Sequence, residues 1–219
     1  MLLKIYISKR IKEGFMKRIN YRNDSKEVQY LINKDQRLKE LFAKKAEIIV
    51  TIDDDYFVSL VGTIVAQQLS SKVARTIYSR LSNLFDGNMN AEKILATRDE
   101  DLRSIGLSFQ KIKYVKSLAT CYLDQTIDLA HLDEMSDDQI IQMLIKIKGI
   151  GIWSAQMFLL FSLGREGVFS VLDLGLRNAV KLIYGNPDLT HQDIELLSEK
   201  WIPYRSIVSH YLWHAWDNE

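Results

Sequence analysis

Between Ser136 and Leu163 the chain writes two apolar-faced segments separated only by Lys148-Gly149-Ile150-Gly151. The first opens with Ser136 as a cap and Asp137 and Asp138 in its first turn, where negative charge suits the helix dipole. Its apolar face is Ile140, Ile141, Met143, Leu144 and Ile147. The second begins directly after Gly151 and is almost wholly apolar. Two helices joined by Gly-Ile-Gly make a helix-hairpin-helix. Glycine lets the backbone reach positive φ and lets another backbone or a ligand approach. The amides of Gly149, Gly151 and the next residues lack helical acceptors and lie at the positive end of a dipole, where a phosphate is a natural partner. Spacing alone equally allows glycines that only make the turn.

The rest of the chain agrees with a helical fold. Only 10 glycines and 2 prolines occur in 219 residues, which favours helices over many short strands. An all-α fold is expected, large enough for one domain or two subdomains. Asp53-Asp54-Asp55 precede a helical face of Phe57, Leu60, Val61, Ile64 and Val65. The aspartates read as a cap and first-turn acids; a metal site there would need ligands from elsewhere. Ser70 or Ser71 caps a second helix that ends near Asp86-Gly87. Further helices are predicted over about 91–96, 98–105, 109–125, 137–147, 152–163, 172–184, 191–200 and 204–216.

Several classes are excluded. One cysteine, Cys121, rules out an intramolecular disulfide framework and any cluster held by four thiolates. The apolar run after Trp153 stops at Gly164, short of a membrane span. A cytoplasmic protein, or a nuclear one in a eukaryote, is therefore expected. Residues 1–22 carry Lys4, Lys9, Arg10, Lys12, Lys17, Arg18 and Arg22 against Glu13. That block reads as a basic tail for an anionic partner, or as a leader without a role if Met16 is the start. The net charge of +1 neither demands nor excludes nucleic acid. His210 and His214 have a chelating spacing but no third ligand nearby, and read as ordinary helix residues.

Leu144-Ile-Lys-Ile-Lys-Gly-Ile-Gly-Ile-Trp-Ser-Ala155, with Val168-Phe169 and Asp173-Leu-Gly175 downstream, resembles the helix-hairpin-helix DNA glycosylase superfamily, 3-methyladenine DNA glycosylase II type. Ile64-Val-Ala-Gln-Gln-Leu-Ser-Ser-Lys72 is similar to the family's Gln-rich helix end, and Gly106-Leu-Ser-Phe-Gln-Lys111 to its Gly-x-Ser-x-x-Lys segment. Trp201-Ile-Pro-Tyr-Arg-Ser206, followed by Tyr211-Leu-Trp213, is similar to its C-terminal helix. The likeness covers roughly residues 24–216.

The resemblance implies two helical subdomains flanking a DNA-binding cleft. One would be built from about 54–165 and the other from about 23–53 with 166–219, after the basic tail of 1–22. It implies a monomeric enzyme on double-stranded DNA that flips out an alkylated purine and cuts its glycosidic bond. Asp173 matches the catalytic aspartate, although Asp is also a favoured N-cap. Relatives often carry Pro-x-Asp-Asp before Leu-Gly; here the first acid is Leu172, which keeps a glycosylase for deaminated or oxidised bases open. Trp153, Met157 and Trp213 match base-pocket positions, with core packing as the alternative. Gln68, with Leu69 beside it, matches the wedge that fills the gap left by the flipped nucleotide.

Gly149, Gly151, Ser154, Lys148 and Lys111 match DNA-backbone contacts, and Lys72 and Lys146 are further phosphate candidates; each lysine also suits a solvated face. Strand-cutting relatives place a lysine two residues after the second hairpin glycine, and Trp153 stands there, so no Schiff base and no lyase step are expected. No cofactor is required by this reading. The missing cysteines exclude the iron-sulfur branch, while a monovalent or divalent cation at the hairpin stays open. The competing class is a non-catalytic helix-hairpin-helix DNA binder, for which a carboxylate at 173 would have no use.

Overall fold

A computed structural model of the chain describes residues 17–52 and 55–217. These divide into two compact units, one within Asp53–Ser162 and one formed by Lys17–Ile52 with the chain from Leu163 onward. Asp53, Asp54 and the leader with its Met16 lie outside the described residues. No described helix is long and apolar enough to cross a membrane.

The first unit is built around α3 (Tyr56–Ala66), preceded in the chain by helices of the other unit. Asp55 caps it, accepting the Val58 amide at 3.0 Å. The sequence marks one apolar face, but Gly62, Thr63 and Ala66 are covered as well, so α3 is buried on nearly all sides. It is packed by α4 (Ser71–Leu84), α7 (Phe109–Leu123) and α9 (Ile152–Phe158), while the short α5 (Ala91–Ala96) and α6 (Asp99–Ser104) lean on α7. α8 (Asp137–Leu144) packs on α9. The helix expected over 152–163 is regular only to Phe158; Leu159–Leu163 widens into a π-turn. Such widening carries an extra residue in the turn. Here Ser162 lies within it, and its Oγ meets Ser59 Oγ at 2.5 Å.

The second unit holds α1 (Lys26–Lys34), α2 (Leu38–Ala43), α10 (Leu174–Tyr184), α11 (His191–Glu199) and α12 (Arg205–Asp217). It also holds what the all-α expectation lacks, a two-stranded antiparallel sheet of β1 (Lys17–Arg22) and β2 (Glu47–Ile52), with Tyr21 opposite Ile48 and Ile19 opposite Val50. Residues 17–22 are therefore not tail. Tyr21 is buried in β1, and Ile48, Val50 and Ile52 alternate inward from β2. Desolvation pushes the Tyr21 phenol up to about 12. Tyr211 on α12 donates to the Tyr21 carbonyl at 2.9 Å and sets its ring edge-on to Phe42, centroids 4.8 Å apart. Asp35 is the buried polar centre of this unit. It accepts the Trp201 indole N–H at 3.2 Å and the Tyr184 hydroxyl, which satisfies a carboxylate that would otherwise be costly inside. Burial and the same carboxylate raise the Tyr184 pKa.

Candidate active site

The hairpin in the first unit starts from a complete capping box. Ser136 Oγ accepts the Gln139 amide at 3.2 Å, and Gln139 Oε1 accepts the Ser136 amide at 2.8 Å. After α8 the chain reverses through Gly149 at φ +92°. A Cβ there would overlap the Tyr114 ring, whose Cε2 would lie 2.7 Å away, so this glycine is required by both conformation and space. Gln67 Nε2 donates to the Gly149 carbonyl at 2.6 Å, and Ser117 Oγ accepts the Lys148 amide at 3.3 Å. Gly151 is the N-cap of α9 with no side-chain cap bond, so the amides of Ile152, Trp153 and Ser154 start the helix with no intrahelical acceptor. The Lys146 and Lys148 side chains beside the hairpin, and Lys72 on α4, are exposed.

Beside the hairpin lies a cavity of about 420 Å³, lined by Gln67, Gln68, Gln110, Lys111, Tyr114, Gly149, Trp153 and Ser154 among others. Gln68 is exposed and sits at φ +56°, left-handed backbone that is uncommon outside glycine. Leu69 beside it is half-buried. Met157 does not border this space. It follows Trp153 by one turn, but that turn carries it inside, where it is 1% exposed; its expected place in a base pocket is corrected to core. Lys111 is corrected too. Its ammonium donates to the Val65 and Gln67 carbonyls at 2.6 and 2.8 Å rather than standing out as a phosphate contact.

In the second unit Asp173 is the N-cap of α10, and its Oδ1 accepts two donors, the Leu176 amide at 2.9 Å and the Trp213 indole N–H at 3.0 Å. The preceding turn is closed by the Asp173 amide on the Ser170 carbonyl and by Arg177, which donates to Val171 O at 2.7 Å. Trp213, expected at the base pocket, is 6% exposed, and its indole N–H holds the acid's Oδ1. Gly175, which closes the Asp173-Leu-Gly175 motif, leaves room for this arrangement. A Cβ there would lie 3.2 Å from Asp173 Oδ1 and 3.5 Å from Trp213 Cδ1. Its signal is a poor helix former in a first turn. Leu172 and Leu174 on either side of the half-buried Asp173 are exposed. His210 is buried, stacked on Tyr21 at 5.5 Å, and so is no surface ligand.

A family model described as HhH-GPD superfamily base excision DNA repair protein matches residues 61–204. The chain belongs to this superfamily. The HhH-GPD match takes in the hairpin, the Gln68 turn and Asp173 together. The chain is 32% identical over 186 residues to a putative DNA-3-methyladenine glycosylase of Bacillus subtilis, an alignment covering 81% of this chain. It is 33% identical over 191 residues to a DNA-3-methyladenine glycosylase of Saccharomyces cerevisiae, covering 82%. It spans 65% and 63% of the lengths of these two relatives. A crystal structure of a DNA-3-methyladenine glycosidase from Bacillus halodurans superposes with a TM-score of 0.83 at 35% identity, over 90% of this chain and 92% of that one. The 3-methyladenine DNA glycosylase of Schizosaccharomyces pombe, in complex with abasic DNA, superposes with a TM-score of 0.78 at 28% identity, over 86% and 95%.

Among the described residues no three His, Cys, Asp or Glu side chains converge as metal ligands. Of the hairpin carbonyls, which are the groups a cation there would use, that of Gly149 accepts the Gln67 side-chain amide.

Proposed function

We propose that this HhH-GPD member is a monofunctional DNA N-glycosylase that flips alkylated purines such as 3-methyladenine out of duplex DNA and hydrolyses the base–deoxyribose bond. One observation carries the reading. The family's acid position holds a carboxylate that is half-exposed yet fixed through one oxygen by two donors. The names of the aligned relatives support the same substrate class.

An N-alkylated purine is cationic, so it departs readily and leaves a sugar with oxocarbenium character. A carboxylate held at that sugar stabilises the charge and orients or deprotonates the attacking water. Asp173 takes this part, and the fixed orientation spares reorganisation during the reaction. The amides of Gly149, Gly151 and the first turn of α9, with Lys148, take a DNA phosphate. Trp153, on the cavity wall, offers an aromatic face to the cationic base, worth about 0.5–2 kcal/mol. Gln68 fills the space the flipped nucleotide leaves. Trp153 stands where a lyase carries its amine, so the sugar–phosphate strand stays intact.

The test is incubation with duplexes that each carry one defined lesion, followed by hot alkali. Abasic sites at 3-methyladenine or 7-methylguanine, with strand breaks only after alkali, are expected. Breaks before alkali overturn the monofunctional assignment. Binding without excision of any base makes the chain a lesion-recognition protein, and excision confined to deaminated or oxidised bases moves the substrate class.

Trp213→Phe keeps the ring and removes the donor to Asp173 Oδ1. A hydrogen bond to a charged group contributes about 1.5–3 kcal/mol, so a loss of about 10- to 150-fold in single-turnover excision is expected, with cooperative melting retained. An unchanged rate would mean the indole does not position the acid.

A further inference from the structure

The turn that presents Gln68 is held by two groups from elsewhere in the first unit. α3 ends at Ala66 and α4 is capped by Ser70, so three residues make the whole connection. Gln68 lies among them at φ +56° and is exposed. Side chains avoid that conformation unless the surroundings over-determine it.

The surroundings do so here. Lys111 reaches across from the first turn of α7 and donates to the Val65 carbonyl, left without a helical partner at the end of α3, and to the Gln67 carbonyl. The Gln67 carbonyl belongs to the peptide that leads into Gln68, so the ammonium fixes the plane about which the left-handed φ is set. The Gln67 side chain runs the other way and donates to the Gly149 carbonyl at 2.6 Å, inside the hairpin. Ser108 caps α7 by accepting the Lys111 amide at 3.2 Å, which anchors the lysine's own backbone. Burial lowers the pKa of this half-buried ammonium, in keeping with a group withdrawn from solvent.

We infer that Lys111 and Gln67 are positioning residues: a brace that holds Gln68 in its projecting conformation and ties it to the phosphate-gripping hairpin, so that seating the hairpin on DNA presents the wedge. The inference rests on the wedge role given to Gln68 above. Neither brace residue touches the base or the sugar.

Lys111→Met keeps the aliphatic stem and removes the donors. The probe is a duplex carrying a tetrahydrofuran abasic analogue opposite 2-aminopurine, whose fluorescence rises when a wedge unstacks it; no excision is needed. The wild-type protein is expected to give a rise. Gln68→Gly is the reference for its loss. Losing a charge-assisted grip shifts the projecting conformer's population by about tenfold, so Lys111→Met is expected to bind with near wild-type affinity while losing most of the rise. Lys111→Arg, which still donates, is expected to recover much of it.

A full rise with Lys111→Met overturns the brace. So does loss of the rise in proportion to loss of binding in a variant that still melts cooperatively, because a purely structural lysine would give that result. A wild-type protein that gives no rise also overturns it, since there would be no wedge to present. The glycosylase reading is judged separately, by wild-type excision of the defined lesions.

Discussion

Asp173→Asn is expected to lower single-turnover excision of an alkylated purine by about 10²- to 10⁴-fold, the range typical of removing a catalytic carboxylate or charge stabiliser. The same variant is expected to melt within a degree or two of the wild-type protein. Asp and Asn are near-equal N-caps, and the asparagine carbonyl can still accept the Leu176 amide and the Trp213 indole N–H that now converge on Oδ1. The substitution therefore removes charge and leaves the local frame. Asp173→Ala removes both. It loses a cap worth about 0.5–2 kcal/mol and leaves a buried indole N–H without this acceptor, at about 1–3 kcal/mol. Its melting temperature is expected to fall by about 3–20 °C. If Asp173→Asn excises as fast as the wild-type protein while Asp173→Ala merely melts earlier, Asp173 is a helix cap and the catalytic acid lies elsewhere.

What could be read from the sequence follows the range of the interaction. Caps and helical faces are local, so Ser136 and the apolar row that follows it locate the start of α8 to the residue, although the helix ends at Leu144 rather than at the expected 147. The strand Lys17–Arg22 was hidden because four of its six residues are polar or charged and only Tyr21 is buried; its identity comes from pairing with Glu47–Ile52. Asp173 was legible by motif, but its orientation depends on Trp213, forty residues on. Lys111 was misread for the opposite reason. A lysine is priced as a solvated charge by default, and only the end of α3, forty-six residues back, supplies carbonyls that reward bringing it in. Met157 shows the limit of helical spacing. One turn keeps it on the Trp153 side of α9, yet the start of a helix can lie at the surface while the next turn is already covered.

The two hairpin glycines look interchangeable in Gly149-Ile150-Gly151, and Ala substitutions are expected to separate them sharply. At Gly149 an alanine meets two penalties. Left-handed backbone at φ +92° costs a side chain about 1–3 kcal/mol, and overlap with the Tyr114 ring adds about 1–3 kcal/mol of overpacking. The sum, about 2–6 kcal/mol, corresponds to a drop in melting temperature of roughly 5–20 °C at this chain length. The damage should not stay local, because the Gly149 carbonyl is where Gln67 anchors the wedge turn. DNA affinity is expected to fall with it. Gly151 has ordinary backbone and open space where a Cβ would go, so Gly151→Ala should melt close to the wild-type protein. Placing Gly149→Ala in a Tyr114→Ala background divides the two penalties. The ring overlap disappears and the backbone strain stays, so a coupling of about 1–3 kcal/mol is expected between the two sites. A coupling near zero would mean that conformation alone demands this glycine, and that Tyr114 yields without cost when the hairpin moves.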